Sequence, residues 1–138
     1  MANFSVKIDY AGSTMKLTPV LMLDAIEPSL PFWQERLGFE KTVQVPDNSP
    51  LDFAILERSG VEVMLQTRES LRKDMPALVP DHAGTGAFLF VEVDDFDDIR
   101  LRIEGCEIVV PERVTFYGMR EIGVREPGGH CVVFAIRT

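Results

Sequence analysis

The sequence predicts an α+β protein built from two tandem strand–helix–strand–strand–strand modules, and three observations carry that prediction. The first is a hairpin within residues 118–134. There Arg120, Ile122 and Val124 alternate with Glu121, Gly123 and Arg125, Glu126-Pro127-Gly128-Gly129 turns the chain, and Cys131 to Ile136 resumes as a strand. The second is an earlier copy of the same unit: Phe53 to Glu57, the turn Arg58-Ser59-Gly60, and Val61 to Gln66. The third is what precedes each hairpin. Gly38-Phe39-Glu40 stands before the extended run Lys41 to Val45, and Gly105-Cys106-Glu107 before Ile108 to Val110, each glycine closing a helix. Strands at Leu17 to Leu23 and at Ala87 to Val93 open the two units. A module of roughly 55 residues is marginal alone, so the chain is expected to form one domain, 1–138. Its modules span about 16–66 and 86–137, joined by a connector at 67–85.

In chain order, Phe4, Val6, Ile8 and Tyr10 alternate with polar residues and predict an extra strand ahead of the repeat, broken at Gly12-Ser13. Leu17 to Leu23 is apolar apart from Thr18, and Pro19 removes a ladder donor, which suits an edge or a strand start. Asp24 or Glu27 is expected to cap the next helix, with Pro28 in its first turn. Leu30, Trp33 and Leu37 form that helix's buried stripe. Pro46 to Pro50 reads as a loop, and Glu69 to Asp74 as a short helical piece in the connector. The second module repeats the plan, with Asp94 or Asp95 as cap and Phe96, Ile99 and Ile103 buried.

Composition narrows the function. Fourteen Lys and Arg against 22 Asp and Glu give a net charge of −8, which argues against a nucleic-acid surface and suits solubility or a cationic partner. No apolar run approaches the roughly 20 residues that span a bilayer, so no membrane partner is expected. The first residues lack a basic start and apolar core, and a cytoplasmic location is the expectation. Cys106 and Cys131 have no zinc-type spacing and read as reduced core thiols. His82 in the connector and His130 beside the turn read as surface or turn histidines.

Two phrases, LPFWQERLGFE at 30–40 and REIGVREPGGHCVVF at 120–134, resemble the glyoxalase, bleomycin-resistance and ring-cleaving dioxygenase superfamily, the vicinal oxygen chelate proteins. The likeness covers about 16–137. It implies two βαβββ modules whose curled mixed sheets enclose a cleft, frequently in a dimer, and it leaves the activity open, since the family holds isomerases, dioxygenases, thiol transferases and metal-free drug binders. Its enzymes hold a divalent metal through the first and last strands of each module. The matching positions are Thr18 and Phe88 on the first strands and Glu62 and Val133 on the last. Of these only Glu62 is a good ligand, where a catalytic metal needs about three. A register slip of one would bring in Pro19, Val63, Leu89 and Val132, which is worse. No metal, cofactor or catalytic residue is therefore expected.

Period-2 alternation fills the concave face with Thr18, Val20 and Met22, then Glu62, Met64 and Gln66, then Phe88, Phe90 and Glu92, then Cys131, Val133 and Ala135. Either its own side chains fill this face, or it is an apolar, aromatic and sulfur-rich pocket with one or two acids. The ligand-binding candidates are Met22, Glu62, Met64, Gln66, Phe88, Phe90, Glu92 and Arg120, the last as a partner that would make Glu62 structural. The expected function is metal-free capture of an amphipathic, aromatic and cationic small molecule, as in bleomycin-resistance proteins, by a homodimer completed through the spare N-terminal strand. A metal-dependent lyase, isomerase or dioxygenase using Glu62 is the alternative.

Overall fold

The structure, a computed structural model, describes residues 16–79 and 87–138. The N-terminal strand expected at Phe4 to Tyr10, and His82, lie outside the described residues. Two four-stranded mixed sheets follow the repeat. The first is ordered β1-β4-β3-β2, from β1 (Val20–Leu23), β2 (Glu40–Val45), β3 (Phe53–Arg58) and β4 (Val61–Thr67). The second is ordered β5-β8-β7-β6, from β5 (Leu89–Glu92), β6 (Glu107–Val114), β7 (Met119–Arg125) and β8 (Cys131–Arg137). In each, the opening strand runs parallel to the last, and the other two pairings are antiparallel. The same order in both sheets is the repeat seen in the sequence.

Local chemistry sets most of the element ends. Gly38 and Gly105 follow the two module helices at φ +74° and +86°, a left-handed conformation that glycine takes without a Cβ penalty. Helix α2 (Phe96–Arg102) starts on Asp95, whose carboxylate accepts from the Asp98 N–H at 3.0 Å, and it buries Phe96, Ile99 and Ile103 as expected. Helix α1 (Arg68–Asp74) occupies the start of the connector, capped by Thr67.

The first module's helix departs from expectation. It is a π-helix, Pro31–Arg36, preceded by a 3-10 turn at Glu27–Ser29, and neither Asp24 nor Glu27 caps it. Asp24 pairs with Arg68 at 3.2 Å, and Glu27 accepts from the Leu51 N–H at 2.7 Å, which ties the helix start to the loop before β3. The i→i+5 bond from Leu37 N–H to Phe32 O puts Phe32 in the buried stripe with Trp33 and Leu37, and leaves Leu30 half-buried. Two strands also differ in length. Pairing begins at Val20 instead of Leu17, because Pro19 offers only its carbonyl, and β6 runs past Pro111 to Val114 on an irregular edge that tolerates a proline.

One apolar cluster joins the modules, with Leu23, Ile26, Trp33, Leu56 and Leu65 from the first and Ile99, Ile103, Val124, Val132 and Phe134 from the second. The helix C-termini clasp each other across it. Arg36 donates to the carbonyls of Arg102 (2.9 Å) and Glu104 (2.7 Å), and Arg102 donates to the Arg36 carbonyl (3.0 Å). At the β7–β8 turn, Gly128 lies against Leu23 and Ser29, and the His130 Nε2 contacts the Met22 carbonyl at 2.8 Å. His130 is thus a buried turn residue that holds the modules together, not a surface histidine. Among the described residues no helix is long and apolar enough to cross a membrane.

Candidate functional site

The pleat divides each sheet as the alternation requires. In β4, Val63 and Leu65 enter the core, so Glu62, Met64 and Gln66 take the other face; in β8, Val132 and Phe134 enter it, leaving Cys131, Val133 and Ala135 opposite. In β7 the core takes Ile122 and Val124, which turns Glu121, Gly123 and Arg125 to the open face.

The second sheet's open face carries a cleft of about 690 Å³. Phe88, Phe90, Val110 and Val133 supply apolar walls, and Tyr117 stands at the end nearest the β6–β7 turn. Gly123 lies in the face opposite Val133, where an added Cβ would come within 2.9 Å of Val110 and 3.3 Å of Val133. Its charged side chains are Glu121, Arg113 and Arg125. Glu121, its side chain only 3% exposed, accepts at Oε1 from Arg113 Nε at 2.7 Å and Nη2 at 2.6 Å. The two are cross-strand partners, so the ladder itself holds them together. Arg125 is tied to Glu107 at 2.6 Å and donates to the Gly129 carbonyl at 3.3 Å. The half-buried Cys131 thiol also lines the cleft.

Of the residues singled out from sequence, Phe88 and Phe90 line this cleft, and they are 61% and 47% exposed. Met22, Glu62, Met64 and Gln66 share the open face of the first sheet instead, where Gln66 donates to Ser70 at 3.1 Å. Glu92 borders a separate groove of about 610 Å³ between the β3–β4 turn and the start of α2. Arg120 lies on the helix side of its sheet, stacked 4.5 Å over Phe96 and bonded to Glu112 at 3.0 Å. Its expected pairing with Glu62 is not formed: Glu62 takes Lys16 at 3.0 Å. The reason is the pleat, which sends Arg120 with Ile122 and Val124 toward α2.

Sequence reasoning passed over Glu121, Arg113, Arg125 and Tyr117. The signal for Glu121 was present, since it alternates with Ile122 and Val124, but its partner depends on an irregular β6–β7 register that no spacing shows. The cleft of about 690 Å³ is lined by the second module alone, and the groove of about 610 Å³ by both, because the modules meet through their helices and the β7–β8 turn.

The sheet register also corrects one metal position. With Thr18 and Phe88 equivalent, Val20 matches Phe90; these pair with Met64 and Val133 respectively, so the counterpart of Val133 is Met64 and not Glu62. Thr18, Met64, Phe88 and Val133 offer one hydroxyl, a thioether and no imidazole or carboxylate, a donor set that does not fit a catalytic divalent ion. Among the described residues no group of three His, Cys, Asp or Glu side chains is placed to hold a metal elsewhere.

Comparison with known proteins agrees with this architecture. A family model described as the Glyoxalase/Bleomycin resistance protein/Dioxygenase superfamily matches residues 16–134. Among solved structures, TioX from Micromonospora sp. ML1 is 23% identical with a TM-score of 0.71, covering 90% of this chain and 99% of that one. A glyoxalase/bleomycin resistance protein/dioxygenase family enzyme from Burkholderia phytofirmans PsJN is 15% identical, with a TM-score of 0.72 and coverages of 88% and 97%. A lactoylglutathione lyase from Agrobacterium tumefaciens is 18% identical, with a TM-score of 0.67 and coverages of 88% and 92%. Identities this low speak to the fold alone. No curated protein matches the chain.

Proposed function

The chain belongs to the glyoxalase/bleomycin resistance protein/dioxygenase superfamily, and we propose that within it this protein captures a small amphipathic aromatic molecule without a metal, in the manner of bleomycin-resistance proteins. The observation that carries the reading is the cleft of the second sheet, with aromatic and aliphatic walls and a single buried carboxylate, in a molecule whose four inherited metal positions lack adequate donors. Such a site provides stacking and apolar contact with a polar point that orients the ligand. Capture without turnover is the chemistry it suits. The metal-dependent alternative rests on Glu62, and the pairing of Val20 with Met64, matching that of Phe90 with Val133, weighs against it.

The protein is further proposed to act as a homodimer in the cytoplasm. Val20, Val43 and Val45 on the first sheet and the fully exposed Phe116 support the first part, since a second copy would cover them, and the two free cysteines support the second. Light scattering at micromolar protein that returns a monomer would remove the dimer.

Thermal melts against a panel of amphipathic aromatic compounds, antibiotics included, run with EDTA and with added Zn²⁺ or Mn²⁺, test capture. A ligand at a hundredfold excess over Kd stabilises by about 2.7 kcal/mol. The expected result is a compound whose stabilisation persists unchanged in EDTA. Stabilisation that appears only with metal, or product formation, overturns the reading.

A further inference from the structure

The cleft's polar groups form a closed pair with two free ends. Both Arg113 contacts converge on Oε1 of Glu121, and among the described residues no hydrogen bond engages Glu121 Oε2 or Arg113 Nη1. The carboxylate is almost fully buried while the guanidinium is 60% exposed, so the pair sits at the cleft surface with an acceptor on one member and a donor on the other. We propose that this pair selects an aromatic ligand bearing a neutral group in which a hydrogen-bond donor adjoins an acceptor, of the carboxamide or lactam class. The proposal rests on the capture reading and names the ligand chemistry of that site.

Charge decides between classes of ligand. Glu121 is neutralised by Arg113, and the other arginine lining the cleft, Arg125, is neutralised by Glu107. A cation would compete with Arg113 for a carboxylate already held at 2.6 Å, and an anion drawn to Arg113 would meet Glu121 beside it. A carboxamide disturbs neither charge: its N–H donates to Oε2, its carbonyl accepts from the guanidinium, and the pair stays intact. The ring it carries then lies against Phe88, Phe90 and Val133. A ligand lacking the donor would bury Oε2 without a partner, which is the source of discrimination.

A matched naphthalene series tests this on the full chain: 1-naphthamide, N,N-dimethyl-1-naphthamide, 1-naphthylmethylammonium and 1-naphthoate, titrated by calorimetry and by backbone amide NMR. 1-Naphthamide is expected to bind at least about tenfold more tightly than the other three, with shifts at Phe88, Phe90, Glu121 and Val133. Glu121→Gln, which presents an N–H where Oε2 stood, should reduce the preference for 1-naphthamide over its dimethyl analogue to about unity. Arg113→Gln alters a more exposed side chain, so it keeps the test decisive if Glu121→Gln does not fold. It frees the carboxylate and should turn the preference toward 1-naphthylmethylammonium. Equal or tighter binding of the cation or the dimethylamide by the wild type, with the same cleft shifts, overturns the pairing proposal and leaves capture standing. No binding by any member overturns both.

Discussion

The two modules share strand order, pairing direction and hairpin register, yet their open faces carry different side chains. With Met64 and Val133 equivalent, the ladders align Ile55 with Gly123, Phe53 with Glu121 and Gln66 with Ala135. In the first sheet, two large apolar side chains stand where the second has a glycine and a carboxylate. The first face presents the exposed Val20, Val43 and Val45, and the second holds a cleft of about 690 Å³ with a polar point in it. The repeat thus keeps its core while its open faces differ, since the core-facing residues of both modules are alike in kind.

The largest expected effect lies where the modules lock together. An added Cβ at Gly128 would stand 2.2 Å from Leu23 Cδ2, 2.7 Å from Glu126 Oε1 and 2.8 Å from Ser29 Oγ, all crowded at the junction. Gly128→Ala is expected to destabilise by about 2–3 kcal/mol. The equivalent turn of the first module is exposed: Gly60 has φ +83° with nothing near its Cβ position, and Gly60→Ala should cost only about 1 kcal/mol of backbone strain. Denaturant melts on the two variants measure the contrast, and equal losses would deny the β7–β8 turn its joining role.

Gly123→Ala tests the open face itself. The new methyl would press on Val110 at 2.9 Å, and the expected loss is about 1–2 kcal/mol together with weakened ligand capture. Ile55→Val, at the matching place in the first sheet, removes one methylene from a half-buried side chain, costs about 1 kcal/mol or less, and leaves capture unchanged. Calorimetric titration of both with a ligand found in the thermal screen reads the difference; capture equally weakened in both would place the site across the two sheets.

Acid stability should differ next. The Leu51 N–H bonded to Glu27 is the main cause holding that carboxyl below its ordinary value of 4.5, so its stabilisation is present above pH 4.5 and fades as pH falls through the lower folded value. Glu27→Gln is expected to lose about 1 kcal/mol or less at pH 7, with the gap to wild type closing below pH 4.5. Glu112 in the second module is also lowered, chiefly by its hydrogen bond from Arg120, and its contribution fades in the same direction. A Glu27→Gln deficit that persisted unchanged at pH 3 would refute the assignment.

Smallest of all is Glu62→Gln. The Lys16 partner is two-thirds exposed, so melting should move by the equivalent of about 0.5 kcal/mol or less, and cleft binding should not move. A tenfold loss of affinity would return Glu62 to the site.

Much of the architecture was legible in the sequence because it depends on local and periodic signals. The turn glycines, the Asp95 cap, the stripe of Phe96, Ile99 and Ile103, and the period-2 division of β4 and β8 are consequences of backbone geometry and burial that a few neighbouring residues decide. Where local chemistry was ambiguous, longer-range partners decided. Leu51, twenty-four residues away, took Glu27 from its capping role, and the i→i+5 winding of Pro31–Arg36 brought in Phe32.

The amino-acid sequence by itself determined the two βαβββ modules, their faces and the poverty of metal ligands at the inherited positions, since each follows from residue type and spacing. Only the tertiary structure decided what each open-face carboxylate meets. Glu62 and Glu121 look alike as letters on open faces, but register across an irregular β6 edge gives one an exposed lysine and the other a cross-strand arginine inside an apolar cleft. Pairing between strands is a long-range choice, fixed by the packing of whole sheets, and the chemistry of a carboxylate is set by the partner and the solvent that this choice leaves beside it.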